Sequence, residues 1–202
     1  LYNAPCFALF YIELYKLWKN RSYIITAYKI MINYYENGGA KFYPIELPAA
    51  QMINCLKAEN MKTEAETLTE HFIHHAEHIA KTGLNYPSSE VNYEQSIVAP
   101  AADILFKAYL LTNDKKYLDA AKKQLDVLEL FNGLQPDYHL YEVAIRHWDG
   151  YWFGKKKMYG DTFPHYWSAL TANVYRAYAE ITGSDEYMKK AESSYRGVMS
   201  MF

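Results

Sequence analysis

The sequence predicts an all-α fold built from about four helical hairpins, with one small β-hairpin inserted. Paired runs of apolar residues at three- and four-residue spacing predict the helices. Short polar breaks between the members of each pair predict the hairpins, and one alternating stretch ending in Asp-Gly predicts the strands. At 202 residues the chain has room for one domain with a sizeable core, spanning 1–202 or forming a fragment of a larger unit.

The first pair runs from Ala8 to Lys19 and from Ser22 to Glu36, breaking at Asn20 and closing at Asn37-Gly38-Gly39. The second runs from about Pro48 to Ala58 and from Lys62 to Lys81. Gly83 follows as a left-handed cap, and then a loop from Leu84 to Asn92. The third starts near Glu94, passes through Ala99-Pro100-Ala101 to Leu111, turns at Thr112-Asn113-Asp114 and continues from Lys116 to Phe131. The fourth starts near Pro164. It repeats the third pair's turn, since Thr112-Asn113-Asp114-Lys115-Lys116-Tyr117 matches Thr182-Gly183-Ser184-Asp185-Glu186-Tyr187 in order and chemistry. From Leu140 to Lys155, alternation through Tyr141, Val143, Ile145 and His147 reaches Asp149-Gly150, the signal for a β-hairpin turn, before Tyr151-Trp152-Phe153-Gly154.

Composition excludes several functions. A net charge of −2 with no basic block leaves nothing to neutralise a row of phosphates, so nucleic acid is not an expected partner. The longest apolar stretch, Cys6 to Ile12, is far short of the roughly 20 residues that cross a bilayer, so no membrane span is expected. Cys6 and Cys55 are too few for a disulfide framework or a thiolate metal site. A chain that begins at Leu1 with no charged leader reads as a processed or excised piece, soluble, and either cytoplasmic or exported. The 21 tyrosines exceed core needs and suit a surface that binds ring-shaped ligands.

Short turns on one side and long aromatic loops on the other resemble the α/α-toroid, or six-hairpin glycosidase, superfamily of carbohydrate-active enzymes. The residues that carry the resemblance are Arg146-His147-Trp148-Asp149-Gly150-Tyr151-Trp152-Phe153-Gly154 and Tyr159-Gly160-Asp161-Thr162-Phe163-Pro164-His165-Tyr166-Trp167-Ser168. It implies a toroid whose inner helices ring a cleft and whose long loops build a sugar site. A full ring has six hairpins and this chain shows four, so a partial toroid is expected.

Glycoside hydrolysis needs two carboxyl groups across the scissile bond. Asp161, at the end of an aromatic loop, and Glu94, at the entrance to the third pair, are the candidate acid and base. Each has a plain alternative, Asp161 as a helix N-terminal residue before Pro164 and Glu94 as a first-turn acid favoured by the helix dipole. His147 is a candidate base. Arg146 is a candidate clamp on a uronate carboxylate, and the two neighbours point to opposite faces of a strand. Asp149, Trp152, Tyr159, His165, Tyr166 and Trp167 complete the candidate sugar contacts, with Asp149 also a turn residue and some of the tryptophans core. Lys155-Lys156-Lys157 reads as a solvated loop before it reads as an attractor for acidic glycan.

His71, His74, His75 and His78 have helical metal-ligand spacing but no His-Glu-x-x-His pattern and no obvious third ligand, so they are expected to be a mixed helix face with no metal. No cofactor is expected. The expected function is glycoside hydrolysis of an oligo- or polysaccharide. The alternatives are a lyase that acts on uronate-containing glycan, with Tyr or His moving the proton, and a non-catalytic helical-repeat module that binds glycan or peptide.

Overall fold

The computed structural model describes residues 3–87, 95–132, 146–149, 158–162 and 169–199. Among the described residues eight helices pair into four hairpins: α1 (Ala4–Trp18) with α2 (Arg21–Glu36), α3 (Ala49–Ala58) with α4 (Lys62–Thr82), α5 (Gln95–Thr112) with α6 (Lys115–Glu129), and α7 (Ala169–Thr182) with α8 (Asp185–Met199). A 3₁₀ turn, Gly39–Lys41, lies in the α2–α3 connection, and β1 (Arg146–Asp149) and β2 (Met158–Thr162) lie between α6 and α7. The fold is all-α, a stack of helical hairpins of the α/α-toroid kind carrying a small β-hairpin.

The hairpins share a turn chemistry. Lys19, Asn113 and Gly183 each adopt a positive φ, at 53°, 56° and 71°. Each donates its N–H to the carbonyl four residues back, on Tyr15, Tyr109 and Ala179. The next residue caps the outer helix: Asn20 Oδ1 accepts from Ser22 N–H, Asp114 Oδ1 from Lys116 N–H and Ser184 Oγ from Tyr187 N–H. Tyr23, Tyr117 and Tyr187 stand three residues after these caps, so the first hairpin carries the repeat that the sequence shows plainly only in the third and fourth. The α3–α4 turn differs, with Asn60 at φ 58° and Met61, whose side chain makes no cap, opening α4.

Layering follows from burial. In the inner layer α5 packs against α3 and α7, while in the outer layer α4 packs against α2 and α6. Inner helix α5 is buried along most of its length, from Gln95 to Ala102 and again at Ile104, Leu105, Phe106 and Ala108. A helix that is apolar nearly all round belongs in an interior. Outer helices α6 and α8 bury one stripe each, Tyr117, Ala121, Gln124, Leu125 and Leu128 in α6 and Ala191, Ser194, Gly197 and Val198 in α8. Polar ties join the outer helices: Lys116 and Tyr117 reach Glu77 across α4 and α6, and Lys190 reaches Glu129 across α6 and α8 at 3.2 Å. Among the described residues no helix is long and apolar enough to cross a membrane.

Several boundaries shift from the sequence reading. Helix α1 begins at Ala4, because Pro5 sits in its first turn, where a missing N–H costs nothing. The strand pair closes later than the Asp149-Gly150 signal implies. β1 pairs with Met158–Thr162, and Tyr151-Trp152-Phe153 lies outside the described residues. An unbroken aromatic run has no alternation with which to set a register. Asp161 lies inside β2, with Thr162 still in the strand, which removes the role of capping α7. Glu94, Pro164, and most of the stretches on either side of β1 lie outside the described residues.

Candidate functional site at the long-loop end

The connections fall on two ends. Lys19-Asn20, Glu59 to Met61, Asn113-Asp114 and Gly183-Ser184 are short turns at one end. The links 37–48, 83–94 and 130–168 are long, and all of them enter inner helices at their N-termini. Long connections in a compact helical array carry function more often than tight turns do.

Buried bonds hold this end together. Tyr34 Oη donates to the Gly39 carbonyl at 2.7 Å and His75 Nε2 donates to the Phe42 carbonyl at 2.8 Å, which fixes the α2–α3 link from beneath. The Tyr43 and Tyr86 rings meet edge to face at 5.9 Å and join that link to the one before α5. Tyr86 Oη donates to Gln124 Oε1 at 2.5 Å, while Gln124 Nε2 donates to the Gly83 carbonyl at 2.8 Å. Gln95 and Thr171, both fully buried, bond at 3.1 Å and lock the first turn of α5 to the first turn of α7. Few of these partners stand out in sequence, because every bond but Tyr34–Gly39 joins residues 33 or more positions apart.

The histidine face of α4 serves the same frame. His75 is wholly buried, and its pKa is lowered to about 4, chiefly because burial penalises the charged ring. Its Nε2–H is committed to Phe42, and its Nδ1 has no hydrogen-bond partner among the described residues. His71 stacks on Tyr35 with ring centroids 5.2 Å apart, and His75 meets the same tyrosine edge-on at 5.9 Å. Burial holds the Tyr35 hydroxyl well above its usual pKa. Among the described residues no group of three or more His, Cys, Asp or Glu is arranged to hold a metal ion.

β1 packs against α5, so the strand pair sits on the inner layer. Arg146 is opposite Thr162, Trp148 opposite Tyr159 and Asp149 opposite Met158. Between the first two pairs the register slips. His147 alone on β1 therefore faces Gly160 and Asp161 on β2, a bulge of the sort found beside active sites. Five candidates are thus gathered on one antiparallel pair: Arg146, His147, Asp149, Tyr159 and Asp161. Glu94, Trp152, His165, Tyr166 and Trp167 lie outside the described residues, and Gln95 directly follows Glu94 in the chain.

A groove of 330 Å³ runs along α5 and α7 from this end. Leu47 and Pro48 from the α2–α3 link, Leu9 of α1 and the apolar residues Ala99, Pro100, Leu110, Leu170 and Ala177 form its walls. Its polar lining is Glu46, Gln51, Asp103, Lys107, Asn173, Arg176 and Glu180. Sequence reading missed this surface. The available signal was the acid–base pairs Asp103/Lys107 and Arg176/Glu180, four residues apart on helices that are otherwise apolar.

No family model matches the chain, and no curated protein matches it. Among solved structures it is similar to one named Polysaccharide Lyase BACCELL_00875, at 47% sequence identity and a TM-score of 0.89. The match covers all of this chain and 30% of that one, so the chain spans under a third of the length of the protein it resembles.

Proposed function

We propose that this chain is the helical part of a polysaccharide lyase that cleaves a uronate-containing glycan by β-elimination. The observation that carries the reading is the full-length match at 47% identity to a protein named as a polysaccharide lyase. It favours elimination over the glycoside hydrolysis that the paired acids Asp161 and Glu94 suggested.

In β-elimination a base removes the proton on the carbon beside the uronate carboxylate. The electron pair forms a carbon–carbon double bond, and the glycosidic oxygen leaves with a proton returned to it. The bulge supports His147 as the base, since the register sets it across the strand pair from the Gly160-Asp161 segment of β2. Tyr159, one residue from the bulge, is the proton donor to the leaving oxygen. Arg146, the neighbour of His147 in β1, alternates to the other strand face, so it clamps the uronate carboxylate only in the alternative arrangement in which Tyr159 is the base as well as the proton donor. Asp149, Trp152, His165, Tyr166 and Trp167 contact the sugar, with Glu94 at the mouth of α5. The groove along α5 and α7 carries the glycan away from the cleaved bond.

The test is a panel of neutral and uronate-containing polysaccharides, read for reducing ends and for ultraviolet absorbance together. Elimination yields an unsaturated uronate that absorbs, with one absorbing end per new reducing end. New reducing ends without absorbance would establish hydrolysis instead, and no product from any glycan would leave a binding module.

A further inference from the structure

The charges in the groove are unevenly disposed. Lys107 Nζ lies 2.5 Å from Asp103 Oδ2, and Arg176 Nε lies 3.4 Å from Glu180 Oε1, each pair four residues apart on its own helix. Each of the two cations of the lining among the described residues thus already has a carboxylate partner on its own helix. Among the described residues Glu46, in the α2–α3 link, is the remaining charge of the lining, which there carries one negative charge in excess. The carboxylate is exposed and sits on a backbone with φ 53°, a left-handed conformation in which glycine or asparagine is the usual occupant.

Two groups on other elements register that charge. The Cys6 thiol of α1 is pushed up by burial and then by Glu46. The Tyr195 hydroxyl of α8, bonded to Asn173 of the lining, is pushed up by burial and by Glu180, Asp103 and Glu46, with only Arg176 opposing.

We infer that the groove between α5 and α7 accepts an uncharged sugar unit and rejects a uronate, with Glu46 as the excluding group, so that the substrate class is a glycan in which uronate alternates with neutral sugar. This rests on the lyase reading for the identity of the ligand. Asn173, Gln51 and the Leu and Pro walls offer hydrogen bonds and apolar contact to a pyranose without a counter-ion for its carboxylate. A glycan made wholly of uronate would bring a second carboxylate beside Glu46. In partly exposed surroundings that repulsion amounts to about a threefold to tenfold loss in affinity, and it is weakened by salt.

The experiment titrates the chain with three oligosaccharides of equal length, one neutral, one alternating and one all-uronate, and follows the Asn173 amide and the Leu110 and Leu170 methyl signals by NMR. The wild type is expected to shift these signals with the neutral and alternating ligands at several-fold lower concentration than with the all-uronate one. Glu46→Gln keeps the side-chain shape and is expected to close most of that gap without changing the neutral ligand's affinity. Added 0.5 M salt should narrow it in the wild type. Equal binding of the three ligands, a gap unchanged in Glu46→Gln, or no shift of these signals with any ligand would each overturn the inference. Ultraviolet product from the same ligands, measured separately, reports on elimination alone. Product without groove discrimination leaves the lyase reading standing, whereas discrimination without product leaves the groove standing and removes the lyase.

Discussion

A buried imidazole that bonds through one nitrogen and leaves the other bare has a definite proton preference, and His75 is such a ring. Its folded pKa of about 4 lies below the 6.5 of the unfolded chain. Between those values the unfolded state binds the extra proton, so stability rises with pH across the window and falls as acid is added. The loss begins as pH drops through 6.5 and is complete near 4, at about 3 kcal/mol in all. Urea unfolding at pH 7.5, 5.5 and 4.5 checks this. His75→Gln keeps a donor for the Phe42 carbonyl and removes the titration, so its stability should fall less over that interval than the wild type's. Equal slopes would mean that His75 is not the group responsible. Gly39 makes a second point at this scale. A Cβ there would overlap the Tyr34 ring, whose hydroxyl is already bound to the Gly39 carbonyl. Gly39→Ala should therefore cost about 1–3 kcal/mol in denaturant unfolding, the usual penalty for overpacking a filled site.

At the scale of the element, the hairpin turn was the most legible feature, because its chemistry is local. Asn113-Asp114 and Gly183-Ser184 contain both the left-handed residue and the cap, and the tyrosine that follows fixes the frame. The first hairpin hid the same turn, because Lys19 occupies the left-handed position without being a residue that prefers it. The strand pair was half legible. Alternation found β1, but its partner lies beyond an intervening stretch, and no local pattern specifies a pairing at that distance. The turns make a prediction of their own. Gly183→Ala places a Cβ in open space at φ 71°, so its cost is conformational alone, about 1 kcal/mol by thermal or chemical unfolding. Asn20→Ala removes the bond to Ser22 N–H and should cost a similar ~1 kcal/mol. Neither change should alter helix content measured by circular dichroism in the folded state.

Across the whole molecule the two ends of the hairpin stack differ in construction, with short turns at one and long links at the other. The resemblance to a sugar-cleaving toroid was readable from aromatic loops and paired helices. The groove was not, because its lining is assembled from α1, α3, α5, α7 and three residues of the α2–α3 link, each unremarkable on its own. The choice between elimination and hydrolysis was not readable either, since acids, His and Tyr crowd one stretch of sequence and serve either chemistry.

The separation of ends leads to a paired prediction. Asp161→Asn and His147→Ala sit at the bulge on the long-loop end, and each should lower kcat by at least about 100-fold, the scale of lost acid–base assistance, while the unfolding midpoint stays close to that of the wild type. Gly183→Ala, at the short-turn end, should do the reverse, lowering the midpoint while the rate per folded molecule at 25 °C is unchanged. Turnover and thermal unfolding measured on the same preparations decide the matter. If Asp161→Asn kept its rate, Asp161 would leave the catalytic set, and if His147→Ala kept its rate as well, the reacting groups would have to be sought outside the strand pair.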